Sequence, residues 1–269
     1  MDRFKRIFPA LALCLLPFSY SEARQAQPCE DSMLQSLSAQ LGRSGWSSPS
    51  ENAQGPLVAA ACKPWPDDPN LSVVTLAYRD AKDSSSLGDR NLNWLVAKVD
   101  THSGQLRERY DDYLSEDSAL ELDAGSLWLD TARYRLAPGV RAFGVVVSSV
   151  ARGASCPDAG SNDLLTLVVP EGAKLRPVFS TYLYAWTTIK GTSCVMDSDF
   201  QSEQAELTLA IAPTRSHGYV DLLVSAHVRA GQEENVLRTA STTVRYDGSQ
   251  YPFKQYATFW TRKSSRRLD

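Results

Sequence analysis

The chain has 269 residues, 28 Lys plus Arg against 31 Asp plus Glu, and 43% hydrophobic content. That is the balance of a foldable globular protein and excludes a disordered or fibrous one. A formal charge of -3 provides no global basic field to hold a phosphate backbone, so nucleic acid is not expected as a partner.

The N-terminus reads as a targeting segment. Arg3, Lys5 and Arg6 precede a mostly apolar run from Ile7 to Tyr20, and Ser21-Glu22-Ala23 places small residues where signal peptidase needs them. Residues 1–23 are therefore expected to be removed after Ala23, leaving residues 24–269 as one β-rich domain in the periplasm or outside the cell. The apolar run is too short to span a bilayer of about 30 Å and Pro9 and Pro17 interrupt it, so no integral membrane span is expected. Cleavage takes away three cations and two acids, for a formal charge of -4, and it takes away Cys14. Four cysteines remain, Cys29, Cys62, Cys156 and Cys194, an even number that in an exported chain reads as two disulfides. Three pairings exist; Cys29 with Cys62 and Cys156 with Cys194 is preferred because short loops close most easily.

In chain order, Cys29 to Leu41 reads as a helix. Met33, Leu34, Leu37 and Leu41 repeat at helical spacing, Ser32 and Gln35 could form a capping box, and Gly42 is a natural stop. Gly42 to Gly55 is loop, Pro56 to Ala61 is small and apolar, and Cys62 to Pro69 is an extended stretch whose prolines argue against regular ladder pairing. From there the period is two. Ser72–Tyr78, Leu92–Val99, Leu106–Tyr113, Ser126–Leu136, Arg141–Val150, Leu164–Val169, Leu175–Ile189, Ala205–Ala212, Tyr219–Arg229, Val236–Tyr246 and Gln250–Gln255 read as strands, about eleven in all. Turn signals lie between them at Thr101–Gly104, Ala137–Gly139, Glu171–Lys174 and Asp247-Gly248. Short connections require antiparallel neighbours, and no run is long enough for a crossover helix. The fold class expected is mainly β, an antiparallel sandwich or a propeller-like array with one N-terminal helix. Within His217–Arg229, Val220, Leu222, Val224, Ala226 and Val228 share a core face, and His217, Tyr219, Asp221, Ser225, His227 and Arg229 share a wet one, with Leu223 the exception. Leu164–Val169 is apolar on both faces and should lie in a sheet covered on both sides. A basic tail, 262–269, is expected to be disordered.

No catalytic constellation is apparent. His217 and His227 lie ten residues apart, about 33 Å along an unbroken strand, too far to share a metal. His102 falls in a turn. There is no Gly-x-Ser-x-Gly elbow, the cysteines are committed to disulfides, and no Cys-x-x-Cys pair offers a zinc site. Acidic residues Asp111, Asp112, Glu116, Asp117, Glu121 and Asp123, like Asp197 and Asp199 or Asp67 and Asp68, read as solvated turn acids and not as a glycosidase pair or calcium loop. No cofactor, metal or catalytic residue is expected. The suggestive feature is aromatic. Tyr182, Tyr184 and Trp186 alternate along one face of a strand, as a binding surface for a protein or an envelope glycan would.

Two segments carry a resemblance. Leu129 to Val145, Leu-Asp-Thr-Ala-Arg-Tyr-Arg-Leu-Ala-Pro-Gly-Val-Arg-Ala-Phe-Gly-Val, and Cys62-Lys63-Pro64-Trp65-Pro66 resemble segments of uncharacterised secreted and periplasmic proteins of Gram-negative bacteria. His217 to Leu222 followed by Arg245 to Tyr251 is similar to the second half of an FG-GAP-type repeat, without the acidic calcium loop of such repeats. The resemblance implies an exported all-β protein and names no activity. The function expected is that of an exported, non-catalytic binding protein of the bacterial envelope, of inhibitor, immunity or sensor type. The alternatives are an envelope hydrolase acting on peptidoglycan, polysaccharide or ester, and a structural surface component.

Overall fold

The computed structural model describes residues 27–50, 55–80, 82–194, 199–231, 233, 235–255 and 257–261. The expected signal segment, Cys14 and the basic tail lie outside the described residues, as do Asp197 and Ser198.

Among the described residues one helix, α1 (Asp31–Gln40), precedes eleven strands: β1 (Leu57–Pro64), β2 (Leu71–Tyr78), β3 (Asn91–Asp100), β4 (Leu106–Ser115), β5 (Leu127–Ala137), β6 (Val140–Val147), β7 (Ala159–Glu171), β8 (Lys174–Lys190), β9 (Gln201–Ser216), β10 (Tyr219–Ala230) and β11 (Arg238–Val244). They form one open sheet, neither propeller nor closed barrel, ordered β1-β2-β3-β4-β8-β7-β6-β5 with β9, β10 and β11 added in turn beyond β8. Every pairing among these strands is antiparallel except a single parallel bridge, Arg109 to Lys174, between β4 and β8. The propeller-like expectation is thereby corrected, and the mainly β class stands.

Packing of the sheet on itself explains which strands are apolar throughout. On β7, Leu165, Leu167 and Val169 enter a core shared with β9 and β10, whereas Val168 enters a second core shared with β1, β2 and β3. Its neighbour β6 divides in the same way, sending Ala142 and Val146 into the first core and Phe143, Val145 and Val147 into the second. Strands covered on both faces need apolar residues at every position, as the run Leu164–Val169 suggested. A third core lies on the far face of β1–β3, where Met33, Leu34 and Leu37 of α1 meet Val74, Leu76, Leu95, Ala97 and Val99.

Three local expectations are revised. The helix starts after Glu30 with no side-chain cap, so the Ser32 and Gln35 box is not used; Gly42, at φ +65°, provides the stop. Cys62–Pro64 do join a ladder, because β1 lies at the sheet edge and pairs only with β2; a proline there forfeits no inner hydrogen bond. Conversely, Gln250–Gln255 form no strand. Asp247 turns the chain by accepting hydrogen bonds from the amides of Ser249 and Gln250, both at 2.8 Å, and Tyr251 then enters the first core.

The two segments that carry the resemblance meet in space. Trp65 is buried beneath two cations, Lys98 Nζ at 4.6 Å and Arg141 Cζ at 4.9 Å from its ring centre. It meets Phe143 edge to face at 5.8 Å. Asp67 pairs with Arg141 and Arg135, and Arg141 also donates to the Thr131 carbonyl at 2.7 Å. This is a structural clasp between the end of β1 and the β5–β6 hairpin, and it gives Trp65, Arg135 and Arg141 of those runs a packing role, with Asp67 just beyond the first run as the shared anion.

Candidate functional site

Strands β8, β9 and β10 are long and joined in sequence by hairpins, so their side chains fall into rungs across the sheet. Residues facing each other in an antiparallel pair point to the same side. The register pairs Asn162 with Tyr184, Tyr184 with Glu206, Glu206 with His227, and His227 with Thr239. The adjacent rung runs Gly160, Trp186, Gln204, Arg229. The other face of the same strands carries Ala185, Ala205, Leu207, Val224, Ala226 and Val228, all buried in the first core. Tyr182, Tyr184 and Trp186 are therefore on the wet face, each partly exposed, among Gln204, Glu206, His227 and Arg229.

The face is held in shape by its own contacts. Tyr184 Oη donates to Gln204 Oε1 at 3.1 Å, and Arg229 pairs with Glu206 at 2.6 Å, which neutralises both charges locally. Partial burial, with the nearby Glu206 carboxylate, raises the Tyr184 phenol above its ordinary range, so it stays a neutral hydrogen-bonding group. His227 Nδ1 lies 3.4 Å from Thr239 Oγ1. The Trp186 indole lies over Gly160, where an added Cβ would sit 2.4 Å from Nε1. Gly160 is thus required by a close approach and not by its own backbone angle. Gly160→Ala is expected to displace the indole, changing the near-ultraviolet circular dichroism, while stability moves by no more than about 1 kcal/mol; an unchanged aromatic spectrum would contradict this placement.

Sequence reasoning found the three aromatic residues but not their polar companions Asn162, Gln204 and Glu206. The signal available was the alternation of polar positions on β9 and β10; what it lacked was register across the β8–β9 connection, where pairing shifts between Thr188 and Lys190. His217 is not on this face. It occupies the β9–β10 turn with Gly218, both at positive φ, and its Nδ1 lies 2.9 Å from the Tyr246 carbonyl. His102 lies in the β3–β4 turn organised by Asp100.

The acidic candidates do not converge. Asp111 pairs with Arg109, Asp112 accepts from Tyr110, Asp199 pairs with Lys190, and Glu116 is buried against Arg90. Glu121 and Asp123 do line an open cleft of about 700 Å³ with Arg79, Arg90, Leu87 and Val150, but both cations are already engaged: Arg79 with the carbonyls of Asp83 and Ser85, Arg90 with Glu116 and the Leu122 carbonyl. Among the described residues no three His, Cys, Asp or Glu side chains group as metal ligands, and no helix is long and apolar enough to cross a membrane.

Of the two expected disulfides, Cys29–Cys62 is closed, with Cα atoms 4.9 Å apart. Cys156 and Cys194, the second expected pair, are brought together on exposed connections with both thiols free. Comparison of the chain with protein-family models, with curated proteins and with solved structures finds no match.

Proposed function

We propose that the protein is an exported, non-catalytic binding protein of the bacterial envelope, and that the wet face of β8–β10 holds a neutral glycan strand. The observation that carries this reading is the pair of rungs in which Tyr184 and Trp186 stand beside Glu206, Gln204, His227 and Arg229. Aromatic rings offer flat apolar area to the C–H faces of sugars, and the amide, imidazole and carboxylate groups between them offer partners to hydroxyls. From Tyr182 to Trp186 the stripe extends about 13 Å along the strand, the length of a short oligosaccharide. The ion pair Arg229–Glu206 leaves little net charge there, which suits a neutral polymer better than an anionic one.

The export reading rests on the cationic and apolar N-terminus, and the Cys29–Cys62 bond is compatible with an oxidising compartment. Co-sedimentation with several insoluble neutral polysaccharides is the direct test, with purified peptidoglycan as an anionic comparison on which weaker retention is expected. Retention on at least one of the neutral polysaccharides, reversed by soluble fragments of that polymer, is the expected result. Failure on all of them, with capture instead of a specific envelope protein by the same face, would replace the glycan by a protein partner.

A further inference from the structure

We propose that Cys156 and Cys194 are a reversible modification site, closing to a disulfide by exchange with a low-molecular-weight disulfide and reopening by exchange with the corresponding thiol. This goes beyond the glycan reading and does not depend on it. The chain holds two cysteine pairs in opposite surroundings. Cys29 is buried in the third core, with Met33 Sδ 3.8 Å from the Cys62 sulfur, and that pair is closed. Cys156 and Cys194 are both exposed and both reduced, on the connections that precede β7 and follow β8. Those connections are already tied together next to the sulfurs: Ser193 Oγ donates to the Pro157 carbonyl at 3.0 Å, and the Thr188 amide donates to the Asp158 carbonyl at 2.7 Å. The β7–β8 ladder has therefore closed the loop before any bond between the sulfurs forms, so that bond forms in the folded protein at little further cost in chain entropy. Exposed disulfides of this kind are the exchangeable ones.

Either sulfur can open the exchange. The first protein thiolate displaces one thiolate from the small disulfide and leaves a mixed disulfide; the other cysteine, on losing its proton, then attacks the protein sulfur of that mixed disulfide and expels the second thiolate. Two protein thiols lose two protons and two electrons, and one small disulfide is reduced to two thiols.

The test is equilibration of the folded protein in glutathione buffers from strongly reducing to strongly oxidising, followed by acid quench, thiol alkylation and peptide mapping. The expected result is a reversible two-thiol transition confined to Cys156 and Cys194, with Cys29–Cys62 closed throughout. In Cys156→Ser, Cys194 is expected to accumulate as the glutathione mixed disulfide. The proposal is overturned if the two pairs open together, if Cys156–Cys194 never closes, or if it stays closed in the most reducing buffer. Absence of the mixed disulfide in the Cys156→Ser protein would overturn exchange with the small disulfide as the route.

Discussion

Replacing Arg90 with alanine is expected to destabilise the protein by about 3–5 kcal/mol, the cost of leaving a charge buried without its partner. The Glu116 side chain is completely buried, and Arg90 meets it with two nitrogens, Nε at 2.7 Å. Glu116 also accepts from the amides of Leu122 at 2.8 Å and Gly88 at 3.0 Å, so one carboxylate gathers the β2–β3 connection and the segment after β4. Denaturant unfolding at neutral pH measures the loss. If the pair is a matter of charge compensation, Arg90→Met with Glu116→Leu recovers part of it, the buried Leu122 amide left without its acceptor holding back the rest. The pH dependence has a definite sign. Burial alone would raise the Glu116 pKa, but the hydrogen bonds from Arg90, Leu122 and Gly88 outweigh it and hold it below the ordinary glutamate value. The carboxylate therefore contributes stability that is present above the unfolded-state pKa, about 4.3, and is lost as the pH falls through the lower folded-state value. Wild type should lose stability in that acid window, and the apolar double variant should lose less.

Cys29→Ser with Cys62→Ser is the second large effect, about 3–4 kcal/mol. The two residues are 33 apart in sequence, and closing a loop of that size restricts the unfolded chain by that much on the entropy account. The local consequence is larger than the global one. A helix of ten residues is too short to persist alone; α1 is held by Met33, Leu34 and Leu37 on the sheet and by the bond that pins its entry to β1. Hydrogen exchange in α1 should accelerate first in the double variant, ahead of the inner strands β6 and β7. A loss of less than about 1 kcal/mol, with α1 protection unchanged, would show that packing alone docks the helix.

The fold was legible where the period of the chain and the period of burial coincide. Val220, Leu222, Val224, Ala226 and Val228 alternate with residues that are polar except for Leu223, and the structure buries all five; it also buries Asp221, expected on the wet face, which accepts from Thr214 Oγ1 at 2.6 Å. The apolar run Leu164–Val169 announced a doubly covered strand, because a residue pattern without a polar face has nowhere to meet water. What local pattern could not carry is position within the sheet. Pro64 looks like a strand breaker until β1 is known to be an edge, and Phe253 looks like a strand residue until it is seen to stack on Phe179 at 6.0 Å from an irregular segment. The same limit applies to the candidate site. Tyr182, Tyr184 and Trp186 alternate visibly in the sequence, but which face of β8 is covered depends on where β9, β10 and the remainder of the sheet fold over it, and that is a long-range property. The cysteines show a third kind of limit, since composition counts them and only the fold separates a pair buried in a core from a pair on exposed connections.

The central claim is that the rungs through Tyr184 and Trp186 are the docking surface. It is tested most directly by measuring glycan co-sedimentation of wild type beside Tyr184→Ala, Trp186→Ala and, as a control outside these rungs, Tyr113→Ala, an exposed residue of β4. The expected outcome is a loss of affinity of at least about tenfold, roughly 1.4 kcal/mol, for each of the first two, with the control unchanged and all unfolding midpoints close to wild type. Equal affinity in all four proteins would contradict the assignment.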